Sequence, residues 1–330
     1  IGNPDLRWET TYTANVGLDF SFFNGRLSGS LDMYLSNTYD LLMTRTVPIM
    51  NGYSKIWDNV GQTRNKGVEL TLNSDNIRKK NFTWSTDFTF SLNRDEIVEL
   101  RGDGKDDVNN KWFIGQPLSV YYDWNMVGIW QEGDEFTFID GEGKEVAHQT
   151  GATPGAAKLE DVDGNGIIDS NDRKVIGSKN PSFTMSMGNR LSYKNLYFSI
   201  LFNGVFGKWM TDNVANISSY TFGSGNYIHG VRYWTPETPD AEVVSPGYQA
   251  SFDHGYYKKL NYVQLRNITL GYRFSQKIVR KIGLSALDVN FSVNNVCAFS
   301  NMRQMLNYDN TWFASFPTAR SYVLGLTITF

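Results

Sequence analysis

The chain has 330 residues, which suffices for one large domain or two ordinary ones. Its net charge of −3 gives no electrostatic reason to expect a nucleic-acid partner. A single cysteine, Cys297, excludes an intrachain disulfide and a multi-thiolate metal site. No stretch approaches the roughly 18 consecutive apolar residues that a membrane-spanning helix needs. Aromatic residues make up 15% of the chain, a content that girdles of Trp and Tyr at two membrane interfaces would explain.

The predicted elements are β-strands in which large apolar residues alternate with small polar ones. In chain order, strands at 12–22 and 27–37 are joined by Asn24-Gly25, a dipeptide favoured in tight hairpins. Further strands are predicted at 66–74, 82–93, 182–193, 195–206, 260–274, 285–298 and 321–330. Their polar face is too polar for a sandwich core and their apolar face is too large for water. A lipid-facing outside and a wet lumen satisfy both.

The alternation is clearest in the last strand, 321–330. One face carries Tyr322, Leu324, Leu326, Ile328 and Phe330, and the other carries small or polar residues. This length matches one tilted crossing of a bilayer, which takes about ten residues. We expect Phe330 to be the C-terminus and part of the assembly signal.

The links between strands are of two kinds. Short links fall at 24–25, 76–81 and 194–195, whereas long polar links fall at 39–64, 94–115, 131–180, 207–258 and 299–320. Short periplasmic turns and long extracellular loops are typical of outer-membrane barrels. We therefore predict an all-β fold, the C-terminal part of a large antiparallel transmembrane β-barrel. We expect about 10–11 strands, which requires two crossings between about Gly115 and Gln131, and Val120–Trp130 is the stretch with the least clear strand pattern. The alternative is a soluble all-β protein with exposed Phe-rich faces.

The long extracellular loop at 131–180 contains a pattern with metal chemistry, from Asp161 to Asp172. Calcium loops of twelve residues place oxygens at positions 1, 3, 5, 7, 9 and 12 and a Gly at position 6. Here those oxygens belong to Asp161, Asp163, Asn165, Ile167 (by its carbonyl), Asp169 and Asp172. We therefore predict a structural Ca²⁺ that stiffens the loop, with Ile168 packed inward. Position 12 is Asp rather than the longer Glu, and no helical pair flanks the loop, so an acidic solvated turn is the alternative.

Other candidate sites are weaker. The adjacent acidic pairs Asp106/Asp107 and Asp134/Glu135 are expected to be solvated rather than catalytic, and no enzyme activity is predicted. A second set of residues shares aromatic rings that could stack on a sugar, although the same rings could form the girdle or pack the loop. These possible substrate contacts are Trp209, Tyr220, Tyr227, Tyr233 and Trp234.

Several short motifs follow one another along the chain. They include Asn3-Pro-Asp-Leu-Arg-Trp-Glu9, Asp40-Leu-Leu42, Asn65-Lys-Gly-Val-Glu69, Gly128-Ile-Trp-Gln131, Tyr233-Trp-Thr-Pro-Glu237 and Pro317–Phe330. Together they resemble the C-terminal half of SusC/RagA-like TonB-dependent outer-membrane transporters. In that family an N-terminal plug fills a barrel of about 22 strands. The resemblance implies that residues 1–330 are all C-terminal barrel, that the plug is absent from this chain, and that an N-terminal part of the same barrel pairs with it.

The resemblance also implies a function, which is energised import across the outer membrane of a Gram-negative bacterium. The expected partners are a SusD-like surface lipoprotein that lids the barrel, TonB acting through the missing plug region, and outer-membrane lipid. The expected cargo is an oligosaccharide or a peptide. Two transport alternatives stay open, a TonB-dependent receptor for an iron chelate or cobalamin and a passive porin-type barrel. A secreted carbohydrate-binding or hydrolytic β-protein is a third.

Overall fold

The computed structural model describes residues 3–46, 52, 54–212, 215, 231–248, 251, 252, 254–302 and 319–330. Its strands are β1 (Thr10–Phe22), β2 (Leu27–Thr46), β3 (Lys55–Lys79), β4 (Phe82–Glu99), β5 (Val120–Trp124), β6 (Met126–Ile129), β7 (Thr137–Ile139), β8 (Glu145–Ala147), β9 (Ala157–Leu159), β10 (Arg173–Ser178), β11 (Phe183–Tyr193), β12 (Leu196–Thr211), β13 (Tyr257–Arg273), β14 (Ala286–Ser300) and β15 (Ser321–Thr329). A short helix, α1 (Gln276–Val279), continues into a 3-10 turn at Arg280–Ile282. Among these described residues, no helix is long and apolar enough to span a membrane.

Nine strands form one antiparallel sheet in the order β1-β2-β3-β4-β11-β12-β13-β14-β15. Apart from the insertion between β4 and β11, every strand pairs with its neighbour in the chain, as in a barrel wall. The predicted all-β, antiparallel barrel fold is confirmed.

The two kinds of link fall on opposite ends of this sheet. The links at 23–26, 80–81, 194–195 and 274–285 lie at one end, and the other end holds the strand termini Thr46, Glu99, Thr211 and Ser300, after which the longer links begin. Antiparallel strands must alternate in this way, so the separation of short from long links is a property of the whole sheet. We call the two ends the turn end and the loop end.

The predicted count of 10–11 wall strands exceeds the number that the described residues form. Within the described residues the wall has nine, because β5 pairs with β10, and β6 pairs with β9, in separate two-stranded sheets. The stretch Val120–Trp130 therefore belongs to the loop end. The predicted links at 94–115 and 131–180 therefore both belong to the loop end, and no membrane-crossing strand of the described residues lies between them.

The wall strands are also longer than the alternation predicts. β2 has 20 residues and β3 has 25, so much of the predicted link at 39–64 is strand. Strands of this length exceed the roughly ten residues that cross the hydrocarbon. Outside the hydrocarbon layer a strand does not need an apolar face. The backbone pairing of the strands therefore continues beyond the residues in which apolar and polar side chains alternate.

The sheet has one apolar and one polar face. Cross-strand partners Phe198, Leu270, Phe291 and Leu324 make one apolar row from β12 to β15. Ser30, Thr71, Thr89 and Ser186 make a polar row from β2 to β11. The side chain of Leu324 is 76% exposed, as expected for a surface that contacts lipid rather than a protein core.

The larger part of the packed core lies in the loops, and a smaller cluster of Met210, Leu260, Tyr262 and Met302 lies where β12 and β13 reach the loop end. Residues from the 100–182 and 212–256 links bury one another at the loop end, and we call this unit the loop assembly. Its largest cluster contains Ile129, Ala157, Ala215, Trp234, Val243, Val244 and Tyr256. A second cluster joins Trp124, Leu159 and Ile168.

Candidate metal centre in the loop assembly

The predicted calcium loop connects β9 to β10. Oxygens of Asp161, Asp163 and Asp172 all lie within 4.8 Å of one another. Three carboxylates at this distance repel one another, and a divalent cation with hard-oxygen preference offsets that repulsion. The structure therefore brings together three of the six predicted ligands at one point.

Asp172 is fully buried and closes the loop from its end. Its two carboxylate oxygens accept the backbone N–H groups of Val162 at 2.8 Å and Asp169 at 2.7 Å. Residues Ser170–Asp172 form a 3-10 turn whose N-cap is Asp169, and the Asp169 side chain accepts the N–H of Asn171. The first and last turns of the loop are thus held together through one carboxylate.

The glycines of the loop adopt the backbone conformations that its sharp bends require. Asp161 accepts the N–H groups of Gly164 and Gly166, both at 2.8 Å, and both glycines have positive φ. The expected sharp bend at position 6 is confirmed at Gly166, whose φ is +85°. The side-chain amide of Asn165 donates to the Asp163 carboxylate at 3.0 Å, so the side chains of these two residues lie together in the same bend.

The loop is anchored to its surroundings by its apolar and backbone groups. Ile168 is buried beside Trp124 and Leu159, as predicted for position 8. The indole N–H of Trp124 donates to the carbonyl of Asp169 at 2.6 Å, and the Arg173 guanidinium lies 3.9 Å from the centre of the Trp124 ring. These contacts fix the frame of the loop independently of any ion.

His148 is a contributor that the sequence did not reveal. Its Nδ1 lies 2.7 Å from the Gly166 carbonyl, and because a carbonyl only accepts, Nδ1 carries the proton. Its ring stacks on Phe138 with centroids 4.7 Å apart, and its own carbonyl accepts the N–H of Ile168 at 2.7 Å. No signal in the local sequence pairs residue 148 with a loop 18 positions later.

Two ion pairs brace the strands on either side. The Lys174 ammonium lies 2.7 Å from Glu160, and the pKa of Glu160 is lowered by that hydrogen bond and by a second one from Asn125. Asp134 accepts the backbone N–H of Gln131, the main reason that its pKa is lowered, and it also pairs with Lys158 at 3.2 Å. Asp134 is therefore a structural acceptor.

Asp107 differs from its prediction. It was expected to be solvated, but it is 5% exposed and pairs with Arg101, and the Asn110 side chain donates to it at 2.7 Å. Asp107 is buried because it pairs with Arg101, six residues earlier in the chain. The acidic pair Asp106/Asp107 by itself does not indicate which of its members will find such a partner.

The aromatic candidates fall into different environments. Trp234 is 5% exposed in the main cluster of the loop assembly, and its indole N–H donates to Gln131 at 2.9 Å. Tyr233 packs against the same cluster. Trp209 lies on β12 with its ring against Gly177 of β10. Tyr220 and Tyr227 lie outside the described residues. The described rings thus take part in packing the loop assembly.

Comparison with known proteins agrees with this geometry. Residues 1–296 match the family described as TonB dependent receptor-like, beta-barrel. The chain is similar to TonB-dependent receptor P3 of Formosa agariphila, with 31% identity over 100% of the chain and 35% of that protein. It is also similar to TonB-dependent receptor SusC of Bacteroides thetaiotaomicron, with 29% identity over 82% of the chain and 27% of that protein.

The solved structures show the same fold. The RagAB peptide transporter matches with a TM-score of 0.73 at 23% identity, covering 100% of this chain and 36% of that chain. Its open-open state matches with a TM-score of 0.74. The chain spans about a third of the length of these proteins.

Proposed function

The chain belongs to the TonB-dependent receptor-like β-barrel family, and from this premise we propose that it forms the C-terminal wall of a SusC-like importer in the outer membrane of a Gram-negative bacterium. The family match along residues 1–296 is the observation that carries the proposal. The nine-stranded sheet supports it, because its apolar face suits lipid and its polar face suits a water-filled passage. The family is one of receptors and transporters rather than of enzymes.

The proposed cargo is an oligomeric nutrient, either an oligosaccharide or a peptide. Similarity to TonB-dependent receptor SusC over 82% of the chain supports a SusC-like protein, for which the resemblance of the sequence motifs implies an oligomeric cargo. The polar face offers hydrogen-bonding and charged groups, including the Arg190–Asp87 pair at 2.8 Å, which suit a hydrated solute better than an apolar one. A SusD-like lipoprotein would capture the cargo at the loop end, and TonB would act through a plug at the turn end.

The calcium loop has a supporting role in this proposal. A Ca²⁺ held by the oxygens of residues 161–172 would tie β9 to β10 and so stiffen the loop assembly. A stiff assembly presents a constant surface to a lid and to cargo, with less conformational entropy lost when either binds.

Uptake by living cells tests the cargo proposal. A strain that lacks the full-length protein is compared with its parent, using fluorescently labelled oligosaccharides, peptides and the matching monomers. We expect uptake of one oligomer class to fall to background while monomer uptake is unchanged, since monomers pass through general pores. Unchanged uptake of every oligomer, with a growth defect only under iron or cobalamin limitation, would instead support a receptor for those compounds.

Co-purification tests the partner. The tagged full-length protein should retain a surface lipoprotein in mild detergent at a stoichiometry near one to one. Recovery of the intact barrel without any lipoprotein would contradict the lidded arrangement and leave the import proposal standing.

A further inference from the structure

The turn end of the wall is a continuous, ordered rim. Neighbouring turns are joined by backbone hydrogen bonds: Asp75 N–H to the Arg26 carbonyl at 2.7 Å, Lys194 N–H to the Asn81 carbonyl at 2.8 Å, and Arg273 N–H to the Asn195 carbonyl at 2.9 Å. Side chains on these turns are therefore held at one level around the edge of the sheet.

Six cations project from this rim, and we call them the cationic rim. They are Lys79, Lys80, Lys194, Lys277, Arg280 and Lys281, all exposed. Within the described part of the chain, none of the six pairs with a carboxylate. Other cations at this end differ, because Arg78 pairs with Asp75 and Arg273 pairs with Asp288. The cationic rim is thus charge that the protein itself does not neutralise.

The opposite end of the wall has the opposite charge. The 100–182 link contains 15 acidic and eight basic residues. The turn end thus carries six exposed cations without a carboxylate partner, whereas the 100–182 link at the loop end has more acidic than basic residues. Such segregation favours an anionic partner at that end.

Aromatic residues lie next to the cations. Phe22, Phe23, Tyr193 and Tyr272 are all exposed at the ends of strands that meet the short turns. Phe23 is 75% exposed and has φ +54°, a costly conformation for a bulky residue that nonetheless projects its ring outward. Exposed aromatic rings at the ends of membrane strands are typical of the headgroup level of a bilayer.

The α1 turn extends the apolar face beyond the last strand residue. The Phe274 ring packs edge-on against Tyr272 with centroids 5.1 Å apart, which carries the apolar face to the start of α1. Ile278 and Ile282, four residues apart, are 52% and 61% exposed, while Val279 is fully buried. A short segment with exposed isoleucines between lysines and an arginine is suited to lie in a bilayer interface.

We propose that the cationic rim binds the headgroups of anionic phospholipids in the leaflet at the turn end, with Ile278 and Ile282 seated at the acyl boundary. The inference rests on the membrane placement in the proposed function. Its occupant is a lipid leaflet because the rim is continuous with the lipid-facing surface and has the complementary charge. Each cation near an anionic membrane surface strengthens binding about fivefold.

Lipid retention tests the proposal. The full-length protein is exchanged into vesicles of phosphatidylcholine with 30% phosphatidylglycerol, extracted in mild detergent, and analysed by native mass spectrometry for bound lipid (the vesicle fraction is roughly that of an anionic leaflet). Wild type should retain phosphatidylglycerol over phosphatidylcholine, and added salt should weaken the preference. The triple variant Lys277→Gln, Arg280→Gln, Lys281→Gln should lose the preference at least tenfold.

A matched variant controls for charge alone. Lys105→Gln, Lys111→Gln, Lys144→Gln removes three exposed cations from the loop end and should retain phosphatidylglycerol like wild type. Heat-modifiability on gels verifies that each variant is folded, and the pair Ile278→Ser, Ile282→Ser gives a second route if the first variant is not.

Three outcomes would overturn the proposal. They are equal retention of the two lipids by wild type, an unchanged preference in the rim variant, and equal loss in the control. If the cations instead serve an acidic protein, wild type shows no lipid preference. Absence of the protein from the outer-membrane fraction contradicts the proposed function, whereas normal import with unchanged lipid retention contradicts the rim alone.

Discussion

Individual residues of the calcium loop divide into a frame and a ligand set. Asp172 and Ile168 are buried and bond or pack within the protein, so they shape the loop whether or not an ion is bound. Asp163 is exposed, and it accepts the backbone N–H of Asn165 at 3.1 Å and the side-chain amide of Asn165 at 3.0 Å. A test of the ion should therefore change Asp163 and leave Asp172 in place.

Asp163→Asn should weaken calcium binding without disturbing the fold. The change removes one ligand charge while an oxygen remains, and affinity in such loops follows ligand charge, so we expect a loss on the order of tenfold. Asp140→Asn is the control, because Asp140 is a partly exposed turn residue that accepts the backbone N–H groups of Glu142 and Lys144 in the same link. Calorimetric titration of the chelator-treated protein gives both affinities, and a wild type that takes up no calcium at millimolar concentration would end the calcium proposal.

Replacing either of two glycines on the polar face by alanine should change the stability of the barrel by different amounts. A Cβ added at Gly271 would lie 2.1 Å from the Tyr197 ring, whereas one at Gly188 would meet nothing closer than 3.7 Å. Gly271→Ala must displace an aromatic ring and should destabilise the barrel by about 1–3 kcal/mol. Gly188→Ala should stay within about 0.5 kcal/mol of wild type. Denaturant unfolding in vesicles measures both, and equal stabilities would refute the close packing of Tyr197 on Gly271.

At the scale of elements, the sequence predicts the wall better than the loops. The 321–330 strand and the row from Tyr322 to Ile328 were readable because alternation is a local signal, and a lipid-facing strand cannot avoid it. Val120–Trp130 was misassigned because short loop strands alternate too, and only their partners β10 and β9 distinguish them from crossings. The His148 clamp depends on contacts distant in sequence, and so was not predictable from one chain.

The brace between β9 and β10 should depend on pH. The pKa of Glu160 is lowered in the folded loop by Lys174 and Asn125, so its stabilising effect is complete above the ordinary glutamate value of about 4.5 and is lost as pH falls through the lower folded value. Glu160→Gln should remove this dependence. The comparison is protease cleavage of the loop in wild type and variant between pH 3 and 7.

The test compares the protection of the loop from protease in wild type and in Glu160→Gln. Wild type should be better protected at pH 6, and the difference should disappear as the pH falls below the ordinary glutamate value and the Glu160 carboxylate is protonated. A constant ratio across the range would show that the Glu160–Lys174 contact does not hold the strands together.

At the scale of the whole molecule, the nine wall strands that the described residues form are an open series whose outermost members are β1 and β15. An unpaired strand edge in hydrocarbon leaves backbone groups unsatisfied at several kcal/mol each, so further strands must complete the wall in a bilayer. This agrees with a chain that spans about a third of its relatives. Membership of the family could be inferred from motifs spread along the sequence, but the cargo could not, because recognition depends on loop side chains from distant segments.

The central claim is that this wall belongs to an energised importer, and coupling to the proton gradient tests it most directly. Uptake of the labelled oligomer is followed in cells that carry the full-length protein, before and after an uncoupler collapses the gradient, with ATP held constant. Uptake should then fall to the level of cells without the protein. Uptake that continues at its original rate after the gradient has collapsed would show a passive pore and contradict the account.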